Sequence, residues 1–237
     1  MEWVKAINAM LCFGKPEILF SIVMNFFVIR AADSQIGQAF AWALAAQKKH
    51  LILLGQDEEL LSSLSLRVGV HHKVKSHYFV HDESDTAAIA QVCSYINDHY
   101  DVDGLVNYSG AKDVSGFADC TVHELSRKLN MAMVTGPLFI HQLLPNLSRQ
   151  GNARILMLSA FGNDVLSKAL MGFNFDFTET FNRDMLFSGE GLRCHHLRLP
   201  EVGLAPGIGD LFETVLLDWV VELLNDELYD EPTTVLV

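Results

Sequence analysis

Phe26-Phe27-Val28-Ile29-Arg30-Ala31-Ala32-Asp33-Ser34-Gln35-Ile36-Gly37, running on into Gln38-Ala39-Phe40-Ala41-Trp42-Ala43-Leu44, is the stretch whose reading decides the fold. Its four consecutive apolar residues read as a strand buried on both faces, since a strand with one wet face would alternate. The polar run after them reads as a tight turn. From Ile36 onward, apolar residues at 36, 39, 40, 43 and 44 keep the spacing of one helix face. A strand, a turn and a helix in this order form the unit on which dinucleotide-binding folds seat a pyrophosphate at the helix N-terminus. The glycines that such a turn normally carries are mostly missing here, and Gly37 alone remains between positions 30 and 37.

The rest of the chain continues the alternation. Further strands are expected at 51–54, 78–80, 105–106, 155–158 and 192–199, with an edge strand at 233–237. Asp57, Glu58 and Glu59 load a helix start with the negative charge that its dipole prefers. Other helices are expected at 85–100, at 122–147 with a bend at Pro137, at 165–187 and at 211–224. Strands that alternate with helices throughout imply an α/β fold, a Rossmann-like doubly wound parallel sheet with helices on both faces. Residues 26–237 read as a single domain, and 1–25 as an apolar N-terminal extension that must pack on the domain or on another subunit.

Composition removes several function classes. The 237 residues, half of them hydrophobic, suit one large core. A net charge of −12 argues against a nucleic-acid surface, which needs clustered Lys and Arg. Cys12, Cys93, Cys120 and Cys194 lack paired spacing and read as reduced, buried thiols. His71-His72 with His77, and His195-His196, are read as surface or strand-end residues, because adjacent histidines on a strand point apart and no metal set completes them. No metal is expected. The apolar run at 18–29 is too short to span a bilayer, no signal-peptide layout is seen, and a cytoplasmic location without membrane contact is expected.

The order of pieces over about 26–200 resembles the short-chain dehydrogenase/reductase family. That family's Thr-Gly-x-x-x-Gly-x-Gly turn falls on Arg30 to Gly37, and its Asn-Asn-Ala-Gly motif falls on Asn107-Tyr108-Ser109-Gly110. Its helix-four asparagine falls on Asn130. Its Ser-Ser falls on Ser159-Ala160, its Tyr-x-x-x-Lys on Asp164 to Lys168, and its Pro-Gly on Pro200-Glu201. The resemblance implies catalytic positions at Asn130, Ser159, Asp164 and Lys168. It implies cofactor contacts at Arg30, Ile36, Gly37, Gln56, Asp82 and Asn107, with Arg30 compatible with the extra phosphate of NADP.

The departures set the functional expectation. In the family a tyrosine is the general acid, and it must hand over a proton near working pH. Asp164 in its place has an ordinary pKa near ~3.9, which Lys168 beside it would depress further as an ion-pair partner. Only nine positions separate Ser159 from Lys168, a shortened loop. Gln35 carries a side chain where the backbone should approach a pyrophosphate, and Asp33 could cap the helix in the anion's place. Asp57 reads first as a helix-start acid, and Tyr108 first as packing, with a plug or substitute phenol second. The leading expectation is a catalytically degenerate relative, acting as an interaction subunit without a bound cofactor. It would pair with itself or with an active relative through the helices at 122–147 and 165–187, where Phe173, Phe177 and Phe181 form a stripe. The runner-up is an active NAD(P)-dependent oxidoreductase with another acid, and a third reading is a nucleotide or small-ligand sensor.

Overall fold

A computed structural model describes residues 24–108, 117–160, 165–188, 191–199, 216, 220–221 and 233–235. The strands are β1 (Asn25–Ile29), β2 (His50–Gly55), β3 (Ser76–Val80), β4 (Asp101–Tyr108), β5 (Arg154–Ala160), β6 (Arg193–Leu199) and β7 (Thr233–Val235). They form one sheet in the order β3-β2-β1-β4-β5-β6-β7, and every pairing is parallel. The expected doubly wound α/β sheet is therefore present. The chain first steps outward from β1 to β3, then returns to add β4 on β1's other side. That reversal between β1 and β4 is the switch point where open α/β sheets receive ligands, beyond the carboxyl ends of the strands.

The helices are α1 (Gln35–Ala46), α2 (Glu58–His72), α3 (Thr86–His99), α4 (Val122–Leu129), α5 (Gly136–Leu147) and α6 (Val165–Ser188). Strand alternation sorts the core into two layers. Phe27 and Ile29 of β1 and Leu51 and Leu53 of β2 join Phe40, Leu44, Leu61, Leu64 and Val68 of α1 and α2. Phe26, Val28, Ile52 and Leu54 face the other way and join Ile89, Cys93 and Ile96 of α3 and Phe139, Ile140 and Leu143 of α5. Phe177, Phe181 and Met185 of α6 pack half-buried against this second layer. Within the expected 211–224 helix, positions 216, 220 and 221 are helical, and Leu216 and Val220 lie buried in the first layer. Residues 1–23 of the N-terminal extension lie outside the described residues.

Local chemistry explains most boundaries. Asp57 caps α2 by accepting from the Leu60 amide, so the plain helix-start reading of that acid holds. Thr121 and Glu124 close a reciprocal capping box at the start of α4. The expected bend at Pro137 is displaced. A π-helical turn at Asn130–Thr135 separates α4 from α5, and Pro137 sits in the first turn of α5, where a missing amide costs little. Pro145 also lies inside α5, within the helical span expected over 122–147. His71 and His72 end α2 instead of lying on a strand, with Trp42 packed edge-on against both rings. His195 and His196 lie buried on β6, so the surface reading fails for that pair.

The turn between β1 and α1 is close-packed. Ala31 adopts a φ of +51°, the left-handed conformation that normally selects glycine. A side chain on Gly37 would collide with the carbonyl oxygen of Ala31 and the Cα of Ala32. Gly37→Ala is therefore expected to destabilise the protein by about 2–3 kcal/mol, the cost of overpacking a rigid backbone contact. The shift of the urea midpoint at unchanged slope measures it.

Candidate active site and nucleotide cleft

Arg30 ends β1 as one of the most deeply buried side chains, 1% exposed. Its Nε and Nη2 donate to the two oxygens of Glu83 at 3.2 and 3.1 Å. Nη1 donates to Asn107 Oδ1 at 2.8 Å, and Nη2 also donates to the Met131 carbonyl at 3.0 Å. The guanidinium lies 5.4 Å from the centre of the Phe139 ring. Asn107 uses its amide nitrogen on the Met157 sulfur at 3.0 Å, so both ends of its side chain are engaged in the core. Arg30 was expected to be available to a phosphate, but its charge is matched by Glu83, the one salt bridge among the described residues. Glu83 was missed in the sequence, although an arginine closing a buried strand demands a buried acid.

Asp33 also departs from its expected role. Ser34 caps α1, accepting from the Gly37 amide at 3.0 Å and donating to the Ala31 carbonyl at 2.6 Å. Asp33 instead reaches across to the end of β2, where Oδ2 accepts from the amides of Gln56 and Asp57 at 2.8 and 3.1 Å. Gly55 makes the room: a Cβ there would stand 2.7–2.9 Å from the Asp33 carboxylate. Gln35 is exposed at the first position of α1, and Ile36 is half-buried. Asp82 accepts from the amide and hydroxyl of its neighbour Ser84 at 2.8 and 2.7 Å, bonds that hold its exposed carboxyl below the usual range.

At the end of β5, Ser159 is buried with its hydroxyl turned toward β6 and α6. Asn174 Nδ2 donates to it at 2.8 Å, and His196 Nε2 lies 2.9 Å away. Burial, with Arg198 adding to it, pushes His196 down to about 4. The ring is therefore neutral at pH 7, and the tautomer it adopts decides which of Nε2 and the Ser159 hydroxyl donates. Lys168 is exposed on the first turns of α6 and forms no hydrogen bond or ion pair with a described residue. Asn130 is exposed at the start of the π-turn, and its carbonyl takes the Thr135 hydroxyl at 3.0 Å. Asp164, Ser109, Gly110, Pro200 and Glu201 lie outside the described residues. Among the described residues, then, no hydrogen bond joins Ser159, Asn130 and Lys168 to one another.

The family model for short chain dehydrogenases matches residues 25–168, from the first residue of β1 to the lysine of α6. The chain belongs to the short-chain dehydrogenase family. Among solved structures it is similar to a short-chain dehydrogenase from Sphingobium yanoikuyae in complex with NADPH, at 17% identity and TM-score 0.75, covering 89% of this chain and 87% of that one. It is also similar to an alcohol dehydrogenase from Thermococcus sibiricus complexed with 5-hydroxy-NADP, at 16% identity and TM-score 0.72, covering 84% and 91%. A bulky-bulky ketone specific alcohol dehydrogenase from Comamonas testosteroni matches at 15% identity and TM-score 0.75, covering 90% and 86%. No curated protein matches by sequence.

Membership in the short-chain dehydrogenase family makes NAD(P) the cofactor to test against the residues present. The β1–α1 turn fits a pyrophosphate. It keeps its tight left-handed geometry at Ala31, and the amides of Gln35 and Ile36 donate to no described residue. The expectation of no cofactor is therefore unsupported. Tyr108 is buried in the first core layer, and burial raises its phenol above the ordinary range, which fits packing and not proton donation. Among the described residues, no His, Cys, Asp and Glu cluster is placed to hold a metal, and no helix is long and apolar enough to cross a membrane. Cys93 and Cys194 are buried free thiols, as expected.

Two outcomes follow from these groups. Glu83→Gln strands a buried guanidinium and should cost about 3–5 kcal/mol in urea unfolding, whereas Arg30→Met with Glu83→Leu should recover most of that loss. His196 binds its proton less readily folded than unfolded, so stability should hold above its unfolded pKa of 6.5 and fall as pH drops toward about 4. The loss should total about 3 kcal/mol over that window, and His196→Asn should flatten the measured pH profile by about one proton.

Proposed function

We propose that the chain is a short-chain dehydrogenase relative that has lost the family's usual proton transfer and works as an interaction subunit, with its nucleotide-binding turn still formed. The observation that carries this reading is the Ser159 hydroxyl, held by Asn174 and directed at a neutral His196 instead of outward. A serine so engaged cannot orient a substrate carbonyl without giving up two internal bonds. The residue in the tyrosine position is a carboxylate, Asp164, which carries no proton at neutral pH at its ordinary pKa near ~3.9. If NAD(P) is bound, it supplies hydride chemistry; Gln35 and Ile36 would hold its pyrophosphate through their amides, and no hydrogen bond among the described residues joins Ser159, Asn130 and Lys168 into a proton path.

The partner surface in this reading is the α4–α5 and α6 face. Phe173, Phe177 and Phe181 form a half-buried row with ring centres 6.1 and 5.9 Å apart. Val122, Met133, Val134, Val165 and Leu186, on the same helices and the π-turn, are exposed. Unpartnered apolar residues at this density favour a protein neighbour, either a second copy or an active relative.

A second reading, an active NAD(P)-dependent oxidoreductase, draws on the exposed Lys168, which pairs with no described residue, and on structural relatives that are dehydrogenases. The two readings separate in one set of measurements. The subunit reading expects no oxidation of NADH or NADPH across a panel of ketones. It also expects Leu186→Asp, at an exposed position of α6, to delay elution on a sizing column while leaving the circular dichroism unchanged. Turnover that Lys168→Ala abolishes would establish the enzyme instead.

A further inference from the structure

The end of β2 carries a carboxylate that is supplied from the wrong strand. In dinucleotide-binding α/β folds, a pyrophosphate on the first helix N-terminus places the adenosine ribose over the end of the second strand. An acid there holds the ribose hydroxyls, or a nearby arginine accepts a 2′-phosphate. Here the residues at that strand end are Gln56, which carries no charge, and Asp57, whose carboxylate is occupied in capping α2. Asp33 arrives from the β1–α1 turn and puts its own carboxylate in that place, through the gap left by Gly55.

We infer that Asp33 selects the ligand of this cleft, admitting an adenosine ribose with free 2′- and 3′-hydroxyls and rejecting one that bears a 2′-phosphate. Three observations converge. The Gln56 and Asp57 amides, the donors that could hold a 2′-phosphate, are already spent on Asp33 Oδ2. Oδ1 makes no hydrogen bond to a described residue and remains able to accept one from a ribose hydroxyl. Among the described residues, Asp57, Glu58, Glu59 and Asp82 are acidic, the nearby cation Arg30 is matched by Glu83, and His81, which interacts with Asp33, is pushed by burial toward its neutral form. A phosphate dianion set among these carboxylates meets repulsion at close range. The solved relatives described with NADPH and 5-hydroxy-NADP share the fold, so this selectivity would be a property of the chain's own residues.

The inference rests on the reading that α1 still receives a pyrophosphate, and calorimetric titration with NAD+ and NADP+ distinguishes the two. Wild-type protein should bind NAD+ at least 30-fold more tightly than NADP+. Asp33→Asn, with its thermal midpoint checked against wild type, should narrow that ratio at least tenfold by improving NADP+ binding. Comparable binding of both dinucleotides to wild type, or an unchanged ratio in Asp33→Asn, would overturn the role of Asp33 while leaving the pyrophosphate site standing. Failure of both to bind either protein would overturn the pyrophosphate site, and the selectivity with it.

Discussion

The bidentate pair between Arg30 and Glu83 holds together the carboxyl end of the sheet. One guanidinium reaches four segments: the end of β1 that carries it, the β3–α3 connection through Glu83, β4 through Asn107, and the π-turn through the Met131 carbonyl. A buried pair of this kind adds little net stability over a well-packed apolar substitute, because both ions must be desolvated. Its value lies in specificity. The four hydrogen bonds of the fork are made together only in one arrangement of these four segments, so the pair selects a geometry that hydrophobic contacts alone would leave loose.

That arrangement has a chemical consequence at the switch point. The resemblance places a small threonine at position 30, and an arginine there brings a charge that must be answered from within the protein. Glu83 answers it, Asn107 and a main-chain carbonyl complete the fork, and Phe139 covers the face. The same inward turn recurs at β5, where Ser159 is joined to Asn174 and His196. On this side of the cleft Arg30, Asn107 and Ser159 are hydrogen-bonded to neighbouring protein groups, and on the adenosine side some groups keep free capacity. Asp33 keeps one carboxylate oxygen outside its amide bonds, and two α1 amides find no described acceptor.

Period-two and helical patterning made the fold readable from the residues. Phe26-Phe27-Val28-Ile29 became a strand buried on both faces, with alternate side chains entering separate core layers. Gly37, the one glycine left between positions 30 and 37, is required by packing, since a side chain there would collide with the backbone of Ala31 and Ala32. What patterning could not show is which polar residues meet across the sheet. Glu83 is 53 residues from Arg30, and His196 is 37 from Ser159. No local spacing rule connects such pairs. Asp33 was misread for a related reason: sequence placed it beside a helix start, where capping is the usual work of an aspartate, while Ser34 was one residue better placed. The bend assigned to Pro137 failed because a proline in a first helical turn needs no kink, and the irregularity arose upstream as a π-turn.

The two carboxylates nearest the switch point show how differently one residue type can be used. Glu83 is 4% exposed and faces a guanidinium through both oxygens, so its charge is cancelled where it stands. Asp33 is half-buried and meets only amide dipoles, so its charge remains in the field of the cleft. Added to the acidic start of α2, it gives the adenosine side a negative potential, in a chain whose net charge is already −12. Among the described residues on this side, the groups that would attract a dinucleotide are the α1 amides and the dipole behind them. Each additional phosphate beyond the pyrophosphate would meet these carboxylates. On the inference drawn for Asp33, the ligand best matched to such a cleft is the least charged one that still carries a pyrophosphate for α1 and hydroxyls for Asp33.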